Sequence, residues 1–185
     1  GVEGADDAAT AHVTAVLDAV RGDDDPPGYL PGLLAGWSGV ALGLLAVAER
    51  RPDLLACCLH GAALAIARES TRVRRVGTGL LCADGPRVMP YLGRGSAALG
   101  YAAQALADAG GHLTDHTTHP VDDLVHGVAE TLRCPVVVQA GLMRGRTGQL
   151  LVLDRLVPGD PAVGHHRDRL RWHLRTPRAT DPAAR

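Results

Sequence analysis

Three arginines lie in glycine-rich segments, where a long side chain could reach a bound substrate. They are Arg94, Arg144 and Arg146. A guanidinium carries a permanent charge and several N–H donors, so it can hold an anionic group or a carbonyl oxygen of a substrate. The same donors can instead bond to carbonyls of the loop that carries them. Both interpretations stay open at this stage.

Cysteine and histidine offer a second kind of chemistry, as metal ligands or as acid and base groups. Cys57, His60 and Cys134 are of types that bind zinc. No Cys-x-x-Cys pair occurs, however, and the first two lie in an apolar, helix-like stretch, so a buried helix is favoured over a metal site. His173, beside Trp172, is either a hydrogen-bonded interface histidine or an acid/base group.

The glycine-rich segments repeat along the chain. Copies of one pattern occupy residues 32–42, 91–100 and 141–151. Aligned on Gly36, Gly95 and Gly145, the copies lie 59 and 50 residues apart. Such a spacing is typical of helical repeat arrays.

Each copy predicts a sharp turn into a helix. Glycine allows unusual backbone angles and close approach, and Gly39 and Gly148 add a second glycine in two of the copies. Polar residues follow the first glycine, namely Ser38, Ser96 and Thr147. Since hydroxyl oxygens can accept bonds from the first amides of a helix, we expect these residues to serve as N-cap acceptors.

Length and charge exclude several classes of protein. The chain has 185 residues, enough for one domain with its own core. A formal net charge of -1 implies no basic face for nucleic acid. No apolar run reaches the roughly 18 residues of a membrane span, and no signal peptide is evident. We therefore expect a cytoplasmic protein, and the start at Gly1 suggests a segment of a larger polypeptide.

Apolar residues recur at helical spacing in seven stretches, three of which open at the glycine motifs. One helix is predicted over residues 54–75, a loop or short hairpin over residues 80–89 and a short strand over residues 136–138. Glycine-motif helices alternate with amphipathic ones, which predicts an inner and an outer layer. The expected fold is all-α, a partial α/α toroid over residues 1–174 with a disordered tail at residues 175–185.

Three segments carry a resemblance to a known family. They read Met-Pro-Tyr-Leu-Gly-Arg-Gly-Ser at 89–96, Gln-Ala-Gly-Leu-Met-Arg-Gly-Arg-Thr-Gly at 139–148 and Leu-Arg-Trp-His-Leu at 170–174. In order and spacing they resemble the lanthionine synthetase C-like cyclases, above all the cyclase domains of class III kinase-cyclase lanthipeptide synthetases. The resemblance runs from Leu30 to Leu174. It implies an α/α toroid whose active site lies at the centre of the inner helices.

The resemblance also implies a reaction. Cyclases of this family add a cysteine thiolate to a dehydroalanine or dehydrobutyrine in a ribosomally made precursor peptide. The product is a lanthionine-type thioether ring, and class III enzymes can also form labionin rings. The implied partners are the precursor peptide and the kinase and lyase modules of a parent polypeptide. This chain contains no lysine and no glycine-rich kinase loop, so any ATP use would lie elsewhere.

Zinc is not expected at the site. The zinc-dependent members bind metal through a cysteine two residues before the glycine of one motif, and through a Cys-His pair just before the glycine of a later one. Gly93, Met143 and Arg144 stand at these positions here. Glycine and arginine are not ligands and methionine is a poor one for zinc. The resemblance therefore predicts a zinc-free class III site with no other cofactor.

Without a metal, the thiol needs another source of activation, such as a cation or a general base. On motif position, Arg144 is predicted to stabilise the thiolate or the enolate, and His173 to shuttle the proton. Arg94, Arg146 and Tyr91 are predicted to bind the substrate.

Two departures from the family leave an alternative open. Ala98 replaces one motif glycine, and the chain stops soon after Leu174, where relatives continue into a further glycine-rich repeat. An open ring normally needs a cap, so the alternative is a non-catalytic α/α scaffold that binds a precursor peptide or a kinase module. A glycosidase on a similar barrel ranks last, because Asp84 and Asp154 are the only acids near the predicted centre.

Overall fold

The computed structural model describes residues 2–22, 24–113 and 119–175. Within these ranges seven α-helices form most of the molecule. They are α1 (Val2–Arg21), α2 (Trp37–Arg50), α3 (Leu55–Ser70), α4 (Ser96–Asp108), α5 (Val121–Leu132), α6 (Arg146–Leu156) and α7 (Pro161–Arg175). The predicted all-α class is confirmed. The tail predicted over residues 175–185 lies, beyond Arg175, outside the described residues.

Local sequence signals explain where several helices begin and which face they bury. In α1 the apolar residues Val13, Leu17 and Val20 recur at helical spacing and are all buried. At the start of α7, the Oδ1 atom of Asp160 accepts a hydrogen bond from the backbone N–H of Ala162 at 2.8 Å. Asp160 therefore caps α7, and Pro161 occupies the first helical position.

A small antiparallel sheet follows α3, with strands in the order β1-β2-β3. The strands are β1 (Val73–Val76), β2 (Gly79–Asp84) and β3 (Arg87–Met89). The predicted hairpin is confirmed, with Gly85 at φ +58° in its turn. The helix predicted over residues 54–75 is wrong at its end, because α3 stops at Ser70. Pairing with β2 decides the conformation here, and Val73 packs on the core.

The short strand predicted over residues 136–138 is wrong. The segment follows α5 without joining the sheet, and Val136 and Val138 are 79% and 85% exposed. Val137 points inward and is buried. β-branched residues favour extended backbone, but a strand also needs a neighbour to pair with.

Helix α4 connects the two halves of the core. Leu99, Ala102 and Leu106 belong to a cluster built with α1, α2, α3, β2 and the start of α5. Ala97 and Ala98 belong to a second cluster, built with α5, α6 and α7. The glycine-motif helices thus pack in a row, α2 against α4 and α4 against α6. The closure of this row into a toroid stays a prediction. Among the described helices, none is both long and apolar enough to span a membrane.

Candidate functional site

The three glycine segments form loops that contact one another. We call residues 30–36, 89–95 and 139–145 the first, second and third glycine loops. The backbone N–H of Leu33 in the first loop donates to the carbonyl of Leu92 in the second at 3.1 Å. The N–H of Gly93 in the second loop donates to the carbonyl of Met143 in the third at 2.7 Å. Residues far apart in sequence therefore meet at one place.

Each glycine loop ends in a glycine that is the N-cap of the next helix. These residues are Gly36, Gly95 and Gly145, and as glycines they contribute no side-chain bond to the helices that follow them. Gly95 has a φ of +134°, and a Cβ there would lie 2.2 Å from the carbonyl oxygen of Met89. The prediction that hydroxyl side chains act as N-cap acceptors is therefore wrong. The loops turn too tightly for a side chain at the cap.

The second motif glycine makes room for the loop that precedes its helix. A Cβ on Gly39 would lie 2.1 Å from the carbonyl oxygen of Leu33, and a Cβ on Gly148 would lie 2.0 Å from that of Leu142. The first and third loops thus fold over their helices in the same way. Ala98 occupies the equivalent position in the second copy, where it is fully buried. The sequence repeat is therefore also a structural repeat.

A buried carboxylate holds the first glycine loop against α2. Oε1 of Glu69 accepts from the N–H of Gly32 and Oε2 from the N–H of Ser38, each at 3.0 Å. The hydroxyls of Ser38 and Tyr29 also donate to it. Burial raises the pKa of Glu69 to about 7, although the bonds from Ser38 and Gly32 oppose that shift. In the sequence, Glu69 is marked only as an acid at the end of an apolar helix, which does not reveal this role.

The second and third loops bring together the positions that the resemblance assigns to zinc. Gly93 bonds to Met143, and a Cβ on Gly93 would lie 2.9 Å from the Met143 Cβ and 3.3 Å from Leu34 Cδ1. Arg144 follows directly and is exposed. Its guanidinium has no hydrogen-bond or ion-pair partner among the described residues. The central site is thus a small apolar contact with one available cation beside it.

These residues do not fit a zinc ion. None of Gly93, Met143 and Arg144 offers a thiolate, imidazole or carboxylate. Within residues 2–22, 24–113 and 119–175, no cluster of three or more His, Cys, Asp or Glu side chains could hold a metal. Cys57 lies in α3, with its thiol bonded to the carbonyl of Leu54, in agreement with the helix interpretation.

Arg94 and Tyr91 lie in the second loop beside this centre. Arg94 forms an ion pair with Asp84 of β2, and its buried Nε has no acceptor. Its backbone packs so closely on the first loop that a Cβ on Gly32 would lie 2.7 Å from the Arg94 Cα. Tyr91 is half-buried. The charge of Arg94 is therefore already balanced within the fold.

Arg146 is buried and bonds inside the protein. It is 4% exposed, and its terminal nitrogens donate to the carbonyls of Pro135 and Val137 at 3.0 and 3.3 Å and to Nδ1 of His166 at 2.8 Å. Burial lowers the pKa of the guanidinium. These contacts correspond to the alternative that the sequence left open, in which the arginine holds loop carbonyls.

His166 is a second residue whose role the sequence did not reveal. It is fully buried, and its Nε2 lies 2.8 Å from the carbonyl oxygen of Leu132. Because Nδ1 faces a guanidinium donor, the Nε2–H tautomer satisfies both contacts. Burial lowers the pKa of His166, which favours this neutral form. The histidine therefore fastens α7 to α5 and α6.

His173 lies apart from these contacts, near the end of α7. It is exposed, and its ring packs against Trp172 with a centroid separation of 5.2 Å. Within the described chain, no hydrogen bond or ion pair joins His173 to Arg144 or to a glycine loop. Its predicted role as a proton shuttle stays a prediction.

An open groove of about 420 Å³ runs along the first glycine loop. Tyr29, Leu34 and Trp37 line it, and Leu34 is 64% exposed. Since Leu34 also lies next to Gly93, the groove adjoins the central site. The groove can hold an apolar chain next to Gly93.

Comparison with known proteins gives one similarity over most of the chain. No family model matches the sequence. The chain is 31% identical over 157 residues to the "Probable SapB synthase" of Streptomyces coelicolor (strain ATCC BAA-471 / A3(2) / M145). The match covers 77% of this chain, which spans 15% of the length of that protein. The similarity supports a domain related to the lanthipeptide synthetases.

Proposed function

We propose that this chain is a zinc-free, cyclase-type part of a lanthipeptide synthetase. It adds cysteine thiols of a precursor peptide to dehydroalanine or dehydrobutyrine in the same peptide. The observation that carries the proposal is the contact of Gly93 with Met143, beside the unpartnered cation of Arg144. Positions that the resemblance assigns to the reaction centre are therefore neighbours, although two loops supply them.

The reaction needs a thiolate and a way to stabilise the charge that forms. The cysteine sulfur loses its proton and attacks the β-carbon of the dehydroamino acid. A C–S bond forms, the C=C π bond breaks, and the charge passes to the α-carbon and its amide oxygen as an enolate. A proton then returns to the α-carbon, so no oxidant or reductant is required. Arg144 lowers the pKa of the incoming thiol and holds the enolate oxygen.

The approach of the two loops also argues against a metal-based mechanism in this chain. A Cβ on Gly93 would lie only 2.9 Å from the Met143 Cβ. A ligand side chain at position 93 would therefore push the loops apart. Since Arg144 is exposed, water reaches the site and can carry the proton between sulfur and carbon.

A scaffold that binds the precursor peptide without catalysis is the second candidate. One observation favours it, namely that no ionisable side chain forms a hydrogen bond or an ion pair with Arg144 within the described residues. The apolar groove beside Leu34 would then hold a peptide for another module to process. This candidate shares the substrate with the first one but lacks the chemical step.

Thiol alkylation followed by mass spectrometry separates the two functions. Ring closure does not change the mass of a dehydrated peptide, so free cysteine is counted after alkylation. With the chain present, we expect alkylatable thiol to disappear faster than in buffer alone. Arg144→Ala should slow this loss by about 100-fold, the effect of removing one charge-stabilising donor.

A matched variant tests whether the effect is specific. Arg167 is also exposed and lies on α7, outside the three glycine loops. Arg167→Ala should cyclise at the wild-type rate. If the folded wild-type chain leaves the thiols untouched but still binds the peptide, the scaffold function replaces the cyclase function.

A further inference from the structure

The three-stranded sheet has an apolar face that α5 covers only in part, near Gly79 and Thr131; with its two exposed valines, Val76 and Val88, we call it the valine face. Residues directly opposite across strands share a face. Val76 pairs with Gly79, and Val88 pairs with Ala83. Leu81 lies between Gly79 and Ala83 in β2, so alternation puts it on the same face. Val76 is 53% exposed and Val88 37% exposed, so two aliphatic side chains of this face lie at the surface.

The other face of the sheet accounts for the packing of the domain. Leu80 and Cys82 alternate with the residues above and are fully buried in the first core cluster. Burial of one face is enough to hold the sheet on the helices. The valine face is therefore left for another partner.

This valine face continues into a groove of about 450 Å³. The opposite wall is the C-terminal end of α5 with Thr131, followed by Cys134 and Val136. Val136 is 79% exposed, and Cys134 carries an exposed free thiol. The groove thus has an apolar wall on the strand side and a mixed polar and apolar wall opposite, and it lies at the surface.

Gln149 of α6 adds an unpartnered amide to the same groove. The residue is 2% exposed, and its buried Oε1 has no hydrogen-bond partner. No other bond of its side-chain amide occurs within the described residues. A buried polar group without a partner costs free energy, which a ligand recovers by bonding to it. A ligand that fits the groove therefore needs a polar group to bond to Gln149 and apolar groups to pack on the valines.

A peptide in extended conformation meets these requirements. A glutamine amide can donate to a carbonyl and accept from an N–H, which are the two groups of a peptide unit. An α-helix has already used its backbone groups internally, and an aliphatic ligand has none to offer. Side chains of an extended peptide alternate, so every second one would face the valines.

The charged residues near the groove favour one kind of peptide over another. Arg74 pairs with Leu81 and therefore lies on the valine face. It is exposed and has no partner among the described residues. Glu130, at the opposite wall, is already paired with Arg133. The exposed charge that adjoins the groove on the valine face, next to Leu81, is therefore positive.

We propose that this groove binds an extended, neutral to acidic peptide segment with aliphatic side chains at alternate positions. The proposal rests on the proposed function in one respect, because it takes the precursor peptide as the source of that segment. The groove is lined by residues other than those of the central site. It would hold a part of the peptide that does not react.

Fluorescence anisotropy with the full chain tests the groove directly. The probe is a fluorescein-labelled nonapeptide in which valine alternates with threonine and glutamate. Val136→Asp should weaken its binding by about tenfold. Val138→Asp is the matched control, since Val138 is 85% exposed but does not line the groove, and it should change the affinity by less than about twofold. Gln149→Leu should weaken binding as Val136→Asp does.

Alkylation of Cys134 gives an independent readout. Saturating probe should slow the reaction of this thiol with iodoacetamide, measured on its own proteolytic fragment. A probe with proline in place of threonine lacks the needed N–H donors and should neither bind nor protect. Equal binding by both probes, or equal losses in Val136→Asp and Val138→Asp, would overturn the proposal. So would a dimer that Val136→Asp makes monomeric while the probe fails to bind.

These results are separable from those on the cyclase. If a short dehydrated peptide is cyclised but the probe does not protect Cys134, the groove proposal is wrong and the proposed function stands. If the probe protects Cys134 but no peptide is cyclised, the groove proposal stands and the proposed cyclase function is wrong.

Discussion

Two arginines separated by one residue have opposite environments at the third glycine loop. Arg144 is exposed and has no partner in the described part of the chain, whereas Arg146 is 4% exposed and bonds to two carbonyls and to His166. The first can change its contacts when a substrate arrives. The second cannot do so without leaving buried carbonyls unpaired. Residue type alone does not separate the two roles.

Glu69 gives a prediction about pH at the same scale. Its pKa is raised to about 7, above the ordinary value of 4.5, so the folded protein binds more protons than the unfolded chain between these values. Its contribution to stability is fully present below pH 4.5 and is lost as the pH rises through 7. We expect the free energy of unfolding to fall by up to roughly 3 kcal/mol over this range from Glu69 alone.

Urea denaturation at pH 5 and pH 8 measures this effect. Glu69→Gln keeps the size of the side chain but cannot ionise, so the fall between the two pH values should be smaller in the variant. Parallel pH profiles of wild type and variant would show that Glu69 does not titrate as inferred.

At the scale of elements, the turn from loop to helix is the repeated unit. Each of α2, α4 and α6 begins at a glycine N-cap, and in the first and third copies the loop carbonyl lies where a Cβ would otherwise be. The second copy accepts Ala98 at the equivalent place. The contacts between loops, such as Gly93 with Met143, then hold the helix starts together. The glycine loops and the helices that follow them thus fix the backbone position of Arg144.

Glycine substitutions within α2 test this frame. Gly39→Ala would put a Cβ 2.1 Å from a backbone oxygen, and we expect a loss of about 3 kcal/mol of stability from the strain. Gly43 lies in the same helix with no atom within 4 Å of such a Cβ. Gly43→Ala should therefore stabilise the protein by up to about 1 kcal/mol, the difference in helix propensity.

Chemical denaturation followed by circular dichroism measures both changes. Equal stabilities of the two variants would mean that the first glycine loop moves freely, which the bonds to Glu69 argue against.

At the scale of the whole molecule, α4 joins the two hydrophobic core clusters. Its residues belong to both clusters, so neither half can lose its packing without exposing part of α4. We therefore expect a single cooperative unfolding transition. The helix also ties the first and second glycine loops to the third, which keeps the central site assembled.

Tryptophan fluorescence tests this cooperativity. The chain has two tryptophans, so Trp172→Phe leaves Trp37, which is 3% exposed in the first cluster. Leu153→Ala, in the second cluster, should lower stability by about 3 kcal/mol. The fluorescence and circular dichroism midpoints should shift together, and a shift of the dichroism alone would indicate two independent units.

The sequence by itself determined the helices, the hairpin and the three glycine turns. Periodicity of apolar residues and the backbone demands of glycine are local properties, so they can be read from neighbouring residues. The all-α class follows from them, and so does the choice of the glycine loops as the place to look for a site.

Only the tertiary structure decided what each polar residue does there. It buried Arg146 against His166, turned Glu69 into the anchor of the first loop and paired Arg94 with Asp84. It also ended α3 at Ser70, because β1 found a partner in β2. Each of these outcomes depends on residues far away in the chain. The spacing of neighbouring residues in the sequence does not show which distant residue will bury a side chain or pair with its charge. The physical reason is that the free energy of a polar group depends on what surrounds it.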